Sequence, residues 1–219
     1  MLAKQYGPWA VILGGSEGVG VSFARKLAAE GINLVLVARK PEPLEVLADA
    51  VRADFHVEVR TLSADLVAVD TALEQVRALT DDVEVGMLIY NAGTDNKSSD
   101  FLDRSFEGAE RTIALNAIGQ AKFSYHFAAK MRERGRGGIL TISHPSPAPS
   151  PVSNRSPPCG QMLHRKLVCG VKHADSDTSF ANRVSATSQA RGNSCSSIVV
   201  VRAYSGLGTT PPSMRSRYS

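Results

Sequence analysis

Between Trp9 and Ser143, short runs apolar along their whole length alternate with segments that are apolar only at helical spacing. No other feature of the chain constrains its fold as much. Trp9 to Leu13, Ile32 to Ala38, Val57 to Leu62, Val85 to Tyr90 and Gly138 to Ser143 read as five strands. Between them, Val21 to Ala29 carries Phe23, Leu27 and Ala28 on one face. Leu44 to Val51 does the same with Leu44, Leu47, Ala48 and Val51, starting after Pro41 and Pro43, and Val67 to Leu79 with Leu73, Val76 and Leu79. A long helix is expected from Phe106 to Arg134. Strands apolar on both faces need cover on both sides, and right-handed crossovers then give an α/β fold with a doubly wound parallel sheet.

Composition divides the chain after Ser143. Residues 1–143 hold 16 basic and 19 acidic side chains, a net charge of −3, whereas residues 144–219 hold 9 and 2, a net charge of +7. Eight of the eleven prolines and all three cysteines fall in the second part. The expected division is a core at 1–143, an atypical Pro/Ser/Arg-rich segment at 144–196, and a sixth strand with a following loop at 197–219. In the middle segment the Pro/Ser run from Pro145 to Pro158 reads as a polar linker. A nucleic-acid role for its charge lacks a stacking platform, since Phe180 is the one aromatic between residues 145 and 203. Cys159, Cys169 and Cys195 have neither the even number of a disulfide framework nor zinc-ligand spacing, so no metal is expected. With no apolar run long enough to span a bilayer and no leader-like start, the chain reads as cytoplasmic, without a membrane partner.

The turn after the first strand reads Gly14-Gly15-Ser16-Glu17-Gly18-Val19-Gly20. Glycines at 14, 18 and 20 let backbone approach a phosphate, and the helix that follows them directs its free N–H groups at an anion, with Ser16 and Val19 beside it. The ribose 2′ position is read about 20 residues on, at the end of the second strand. An acidic residue there selects NAD; this chain has Arg39-Lys40. A guanidinium suits a 2′-phosphate, so the expected cofactor is NADP(H). The competing reading of Arg39 and Lys40 is a solvated loop.

Gly14-x-x-x-Gly18-x-Gly20, Asp65-Leu66 after strand three, Asn91-Ala92-Gly93 after strand four and Asn116-x-x-Gly119 in the long helix occur in one order. Over residues 7–143 this set resembles the classical short-chain dehydrogenase/reductase family. The wording Tyr6-Gly7-Pro8-Trp9-Ala10 and Leu34 to Arg39 resembles its branch of ketoacyl reductases and hydroxysteroid dehydrogenases. The resemblance implies a Rossmann fold and NADP-dependent hydride transfer between the nicotinamide and a small carbonyl or secondary alcohol. It implies that Asp65 meets the adenine amino group, with Leu66 beside it. Asn91, Ala92 and Gly93 would line the cofactor, Asn116 would hold a proton-relay water, and Thr210 would bond the nicotinamide amide. It also implies a homo-oligomer paired through the helix containing Asn116. Other readings of the same residues are a helix cap at Asp65, a helix kink at Asn116 and a plain turn at Thr210. Leu13 stands where the family usually has Thr.

The family's catalytic set is a Ser at the end of strand five and a Tyr-x-x-x-Lys pair on the next helix, whose lysine lowers the phenol pKa. No Tyr-x-x-x-Lys occurs in this sequence. At the serine position register puts His144, with Ser143 one residue short and turned away. Together with Asn116, these are the candidate catalytic residues. Read one frame over, the codons of His144-Pro145 can restore a serine, and those of Met162 to Lys166 come within one base of Tyr-x-Ala-Ser-Lys. Two expectations follow: a short-chain oxidoreductase by descent, or a catalytically inactive NADP-binding protein or frame-shifted product.

Overall fold

A computed structural model describes residues 2–93, 105–143 and 197–202. In chain order the elements are α1 (Leu2–Tyr6), β1 (Trp9–Leu13), α2 (Val19–Ala29), β2 (Asn33–Ala38), α3 (Pro41–Phe55), β3 (Val59–Ser63), α4 (Val69–Thr80) and β4 (Val85–Tyr90). There follow α5 (Phe106–Ile113), a π-helical turn (Ala114–Gly119), α6 (Gln120–Arg134), β5 (Gly138–Ser143) and β6 (Ser197–Arg202). The sheet order is β3-β2-β1-β4-β5-β6. The first five strands are parallel. β6 is antiparallel to β5, pairing Gly138 with Arg202 and Ser143 with Ser197.

β1 and β4 are buried at every position, because neighbouring strands flank them and helices cover both faces. Alternate residues of each strand therefore enter different cores. On one face Ile12, Leu34, Leu36, Ile89 and Leu140 pack with Phe23 and Leu27 of α2 and with Leu44, Ala48 and Val51 of α3. On the other, Val11, Leu13, Val37, Leu88 and Tyr90 pack with Val76 of α4 and with Leu115, Phe123, Phe127 and Met131 of the long helix. Full burial of each such side chain contributes about 1.5–3 kcal/mol. Phe123, fully buried, is a point where truncation to Ala is costly, by about 3–5 kcal/mol.

Helix starts differ from the sequence expectation for local reasons. α3 begins at Pro41, because proline fits the first turn, where N–H groups have no intrahelical acceptor. It ends at His56, whose φ of 55° is left-handed. α4 begins at Val69 rather than Val67, because the amide of Val67 donates to Asp65 Oδ1 at 3.1 Å and holds the chain in a turn. The helix expected from Phe106 to Arg134 is interrupted by the π turn. Tyr90 Oη donates to the Leu115 carbonyl in that turn at 2.5 Å.

The foot of the sheet carries a bulge. Trp9 pairs with Val85 but Ala10 pairs with Met87, so Gly86 has no counterpart on β1. A Cβ on Gly86 would lie 1.1 Å from the Tyr6 carbonyl oxygen, and one on Gly138 would lie 2.9 Å from the Tyr6 ring. α1, which the sequence periodicity did not predict, sits at this junction.

Candidate cofactor site

Strand order reverses between β1 and β4, and in open α/β sheets ligands bind beyond the carboxyl ends of the strands at such a switch point. Of the candidate cofactor residues, Gly14, Gly20, Asn91 and Ala92 meet there. Asn91 Nδ2 donates to the Gly14 carbonyl at 2.8 Å, and the Asn91 amide donates to the Leu13 carbonyl at 2.9 Å. The amides of Gly14 and Gly15 both donate to the Val37 carbonyl, at 2.8 and 3.2 Å. The glycine turn is thereby tied to β2 on one side and to β4 on the other.

The three motif glycines serve different ends. Gly14 has φ +84°, and a Cβ there would lie 2.8 Å from the Ala92 amide nitrogen. A Cβ on Gly20 would lie 2.3 Å from the Gly14 carbonyl oxygen. Both are therefore required by the chain's own close packing. Gly18, at φ 57° and ψ −123°, caps α2, and a Cβ there would meet nothing within 4 Å. That backbone shape favours glycine, and the space beside it is open. No side chain caps α2, so its N-cap supplies no side-chain acceptor to the N–H groups of the first turn. A phosphate fits such a cradle. Ser16 and Val19 are half-buried on its rim, Val19 resting on the core formed by α2 and α3.

The end of β2 supplies the cations. Arg39 and Lys40 are exposed, and the Arg39 carbonyl accepts from Ser63 Oγ at 3.1 Å. Lys40 Nζ donates to Glu17 Oε1 at 2.8 Å, which joins the strand-two end to the glycine turn. The Lys40 ammonium, and then the Arg39 charge, hold the Glu17 carboxyl below the usual carboxylate range. Glu17 was not among the residues expected from sequence, although a carboxylate between two motif glycines was there to be seen.

Asp65 is exposed at the end of β3, with one oxygen accepting from the Val67 amide and the other 3.7 Å from Arg111. Leu66 is buried beneath it. Asn91 and Ala92 are half-buried and Gly93 is exposed. Asn116 is half-buried within the π turn, a helical irregularity found often at functional sites. Burial pushes the Tyr90 phenol well above its ordinary range, so it remains a hydrogen-bond donor to the turn. Ser143 is the last residue of β5; His144 and Thr210 lie outside the described residues. Among the described residues no group of acidic, His and Cys side chains is placed to hold a metal, and no helix is long and apolar enough to cross a membrane.

A doubly wound sheet with a glycine cradle at its switch point defines a nucleotide-binding α/β protein. The model of the short chain dehydrogenase family matches residues 8–148, and the chain belongs to that family. The 7beta-hydroxysteroid dehydrogenase of Collinsella aerofaciens is 34% identical over 142 residues, which are 65% of this chain and 53% of that protein. The inactive hydroxysteroid dehydrogenase-like protein 1 of Homo sapiens is 32% identical over 143 residues, 65% of this chain and 43% of that one. A solved short-chain dehydrogenase from Sphingobium yanoikuyae, in complex with NADPH, is 36% identical with a TM-score of 0.58, over 63% of this chain and 53% of that chain. The chain thus spans about half the length of the relatives it matches.

Proposed function

We propose that the chain is an NADP(H)-binding short-chain oxidoreductase by descent, whose site belongs to hydride transfer between the cofactor and a small carbonyl or secondary alcohol. The observation that carries this reading is the junction of Gly14, Asn91 and Ala92 beside the open cradle at Gly18, with Arg39 and Lys40 at its rim. The first turn of α2 would hold the pyrophosphate, and Arg39 with Lys40 the 2′-phosphate. Asp65 would accept from the adenine amino group, Asn91 to Gly93 would line the cofactor, and Thr210 would meet its amide. When bound, the nicotinamide supplies the hydride. Asn116 and His144 are the residues proposed to face the reacting groups, with Ser143 one residue short of the serine position beside them. The NADPH complex of the Sphingobium relative supports this cofactor, since that protein shares 36% identity with the chain.

A second reading, an inactive NADP-binding protein, is favoured by the lack of any Tyr-x-x-x-Lys and by the likeness to a relative described as inactive. Titration of the full chain with NADPH, followed by NADPH consumption in the presence of ketones and aldehydes, separates the two. Binding with turnover supports the oxidoreductase, binding without turnover supports the second reading, and no binding refutes both. Sequencing the coding DNA across codons 140–215 tests the frame-shift explanation; an inserted or missing base near codon 144 supports it, and confirmation of the present frame removes it.

Self-association through the long helix is part of the same proposal. Its outer face carries exposed Ile113, Ile118 and Tyr125, and Leu73, Ala121, Tyr125 and Ala129 line an apolar groove between α4 and α6. Sedimentation of the wild type against Tyr125→Glu tests it, with a shift toward monomer expected.

A further inference from the structure

The ion pair between Lys40 and Glu17 spans the rim where the 2′-phosphate is proposed to bind. Both side chains are about two-thirds exposed, 67% and 66%, so the pair sits in water rather than bracing the core. Exposed pairs of this kind contribute little to folding stability. Its consequence is local charge. Arg39, which makes no ion pair within 4 Å among the described residues, is near enough to act on the Glu17 carboxyl. Two cations and one anion thus share one place, where a net charge of +1 replaces the +2 that Arg39 and Lys40 would present alone.

We propose that Glu17 sets the coenzyme preference of this chain: by holding the Lys40 ammonium, and by placing a carboxylate at the rim, it weakens recognition of a ribose 2′-phosphate relative to a free 2′-hydroxyl. This deepens the NADP(H) reading and rests on it. A dianionic 2′-phosphate approaching Arg39 and Lys40 meets the Glu17 charge and must draw Lys40 away from it. NADH, which lacks that phosphate, has no need of Lys40 and meets the Glu17 charge only through the pyrophosphate that both coenzymes share. The glycines of the turn leave no other side chain from Gly14 to Gly20 with a full charge, so Glu17 is the single residue of that turn able to exert this effect. One unit-charge contact in water corresponds to about a five-fold change in affinity.

The test is binding of NADPH and NADH to the full chain by titration calorimetry, for the wild type, Glu17→Gln, Lys40→Met and the double variant. Glu17→Gln is expected to shift the ratio of the two affinities toward NADPH by about five-fold at low salt, with the shift shrinking at about 0.5 M salt. Lys40→Met is expected to weaken NADPH more in the Glu17→Gln background than in the wild type, because the ammonium is then undivided. Unaltered unfolding midpoints exclude a folding effect as the source. If both coenzymes bind but Glu17→Gln leaves their ratio unchanged, or shifts it toward NADH, this proposal is overturned while the cofactor reading stands. If the wild type binds neither, the cofactor reading fails and this proposal with it.

Discussion

Gly119 and Tyr90 should behave as one unit in stability measurements, although they are remote in sequence. A Cβ on Gly119 would lie 2.6 Å from Tyr90 Oη and 3.2 Å from the Ala114 carbonyl oxygen. The hydroxyl cannot step aside without cost, because Tyr90 is 2% exposed and its Oη donates to the Leu115 carbonyl. Gly119→Ala therefore forces either the loss of that hydrogen bond or a shift of the π turn, about 1–3 kcal/mol by analogy with overpacked cores. The change from Gly to Ala in a helix returns up to about 1 kcal/mol. Tyr90→Phe alone removes one buried hydrogen bond, about 1 kcal/mol. In the double variant the hydroxyl is gone, so the methyl has room and the helix gain remains. The double variant is thus expected to be no less stable than Tyr90→Phe, with a coupling of about 1–2 kcal/mol against additivity. Urea unfolding of the four proteins, followed by circular dichroism, measures this. Additive costs, with coupling below about 0.5 kcal/mol, would refute the close packing of Tyr90 on Gly119.

Further outcomes can be stated. Gly18→Ala, with no atom near the new methyl but a backbone shape suited to glycine, should cost about 1–3 kcal/mol of stability and abolish NADPH binding; thermal unfolding together with titration checks both. Gly86→Ala, facing the Tyr6 carbonyl, should be far more damaging and yield little soluble protein, as expression assays would show. The His126 imidazole is held below its ordinary pKa by burial, and then by Lys130 and Arg77, with Asp81 opposing. Lys122 and Tyr125 also line its groove. Because the unfolded chain binds this proton more readily, its contribution is whole above about pH 6.5 and is lost as pH falls toward the folded pKa. His126→Gln should flatten that slope in pH-dependent unfolding; an unchanged slope would count against it. Arg60 holds the Asp82 carboxyl below its ordinary range, so this contribution is present above about pH 4 and fades on acidification. Asp82→Asn should narrow the difference from wild type as pH drops, and salt should weaken the effect.

Much of this architecture was legible because strand cores leave a direct mark on sequence. The bounds of β1, β4 and β5 coincide with the apolar runs Trp9–Leu13, Val85–Tyr90 and Gly138–Ser143, since both faces of each demand apolar residues. The glycine turn was legible because glycine is required wherever backbone approaches backbone, as at Gly14 and Gly20. Helix starts were less so, because Val67 and Pro41 are governed by local hydrogen bonding and φ, not by periodicity. The π turn was not legible as such; the nearest reading in the sequence was a helix kink at Asn116. The direction of β6 was illegible, because Ser197 to Arg202 has the same apolar pattern read either way. The pairing of Lys40 with Glu17 joins residues that no local pattern connects.

α1 and the glycine after it meet two stretches of chain that are far apart in sequence. Tyr6 rests on Gly86 of β4 and Gly138 of β5, and Gly7, whose amide closes α1 on the Ala3 carbonyl, lies against Glu84. None of these neighbours is in place until the central strands have assembled. Contacts of such sequence separation form late in folding, after the closure of long loops. The amide of Gly7 should therefore gain protection from hydrogen exchange last, and only in molecules whose sheet is closed as far as β5. Five residues of helix at the edge of the fold thus act as a clasp that records whether the remainder has finished folding.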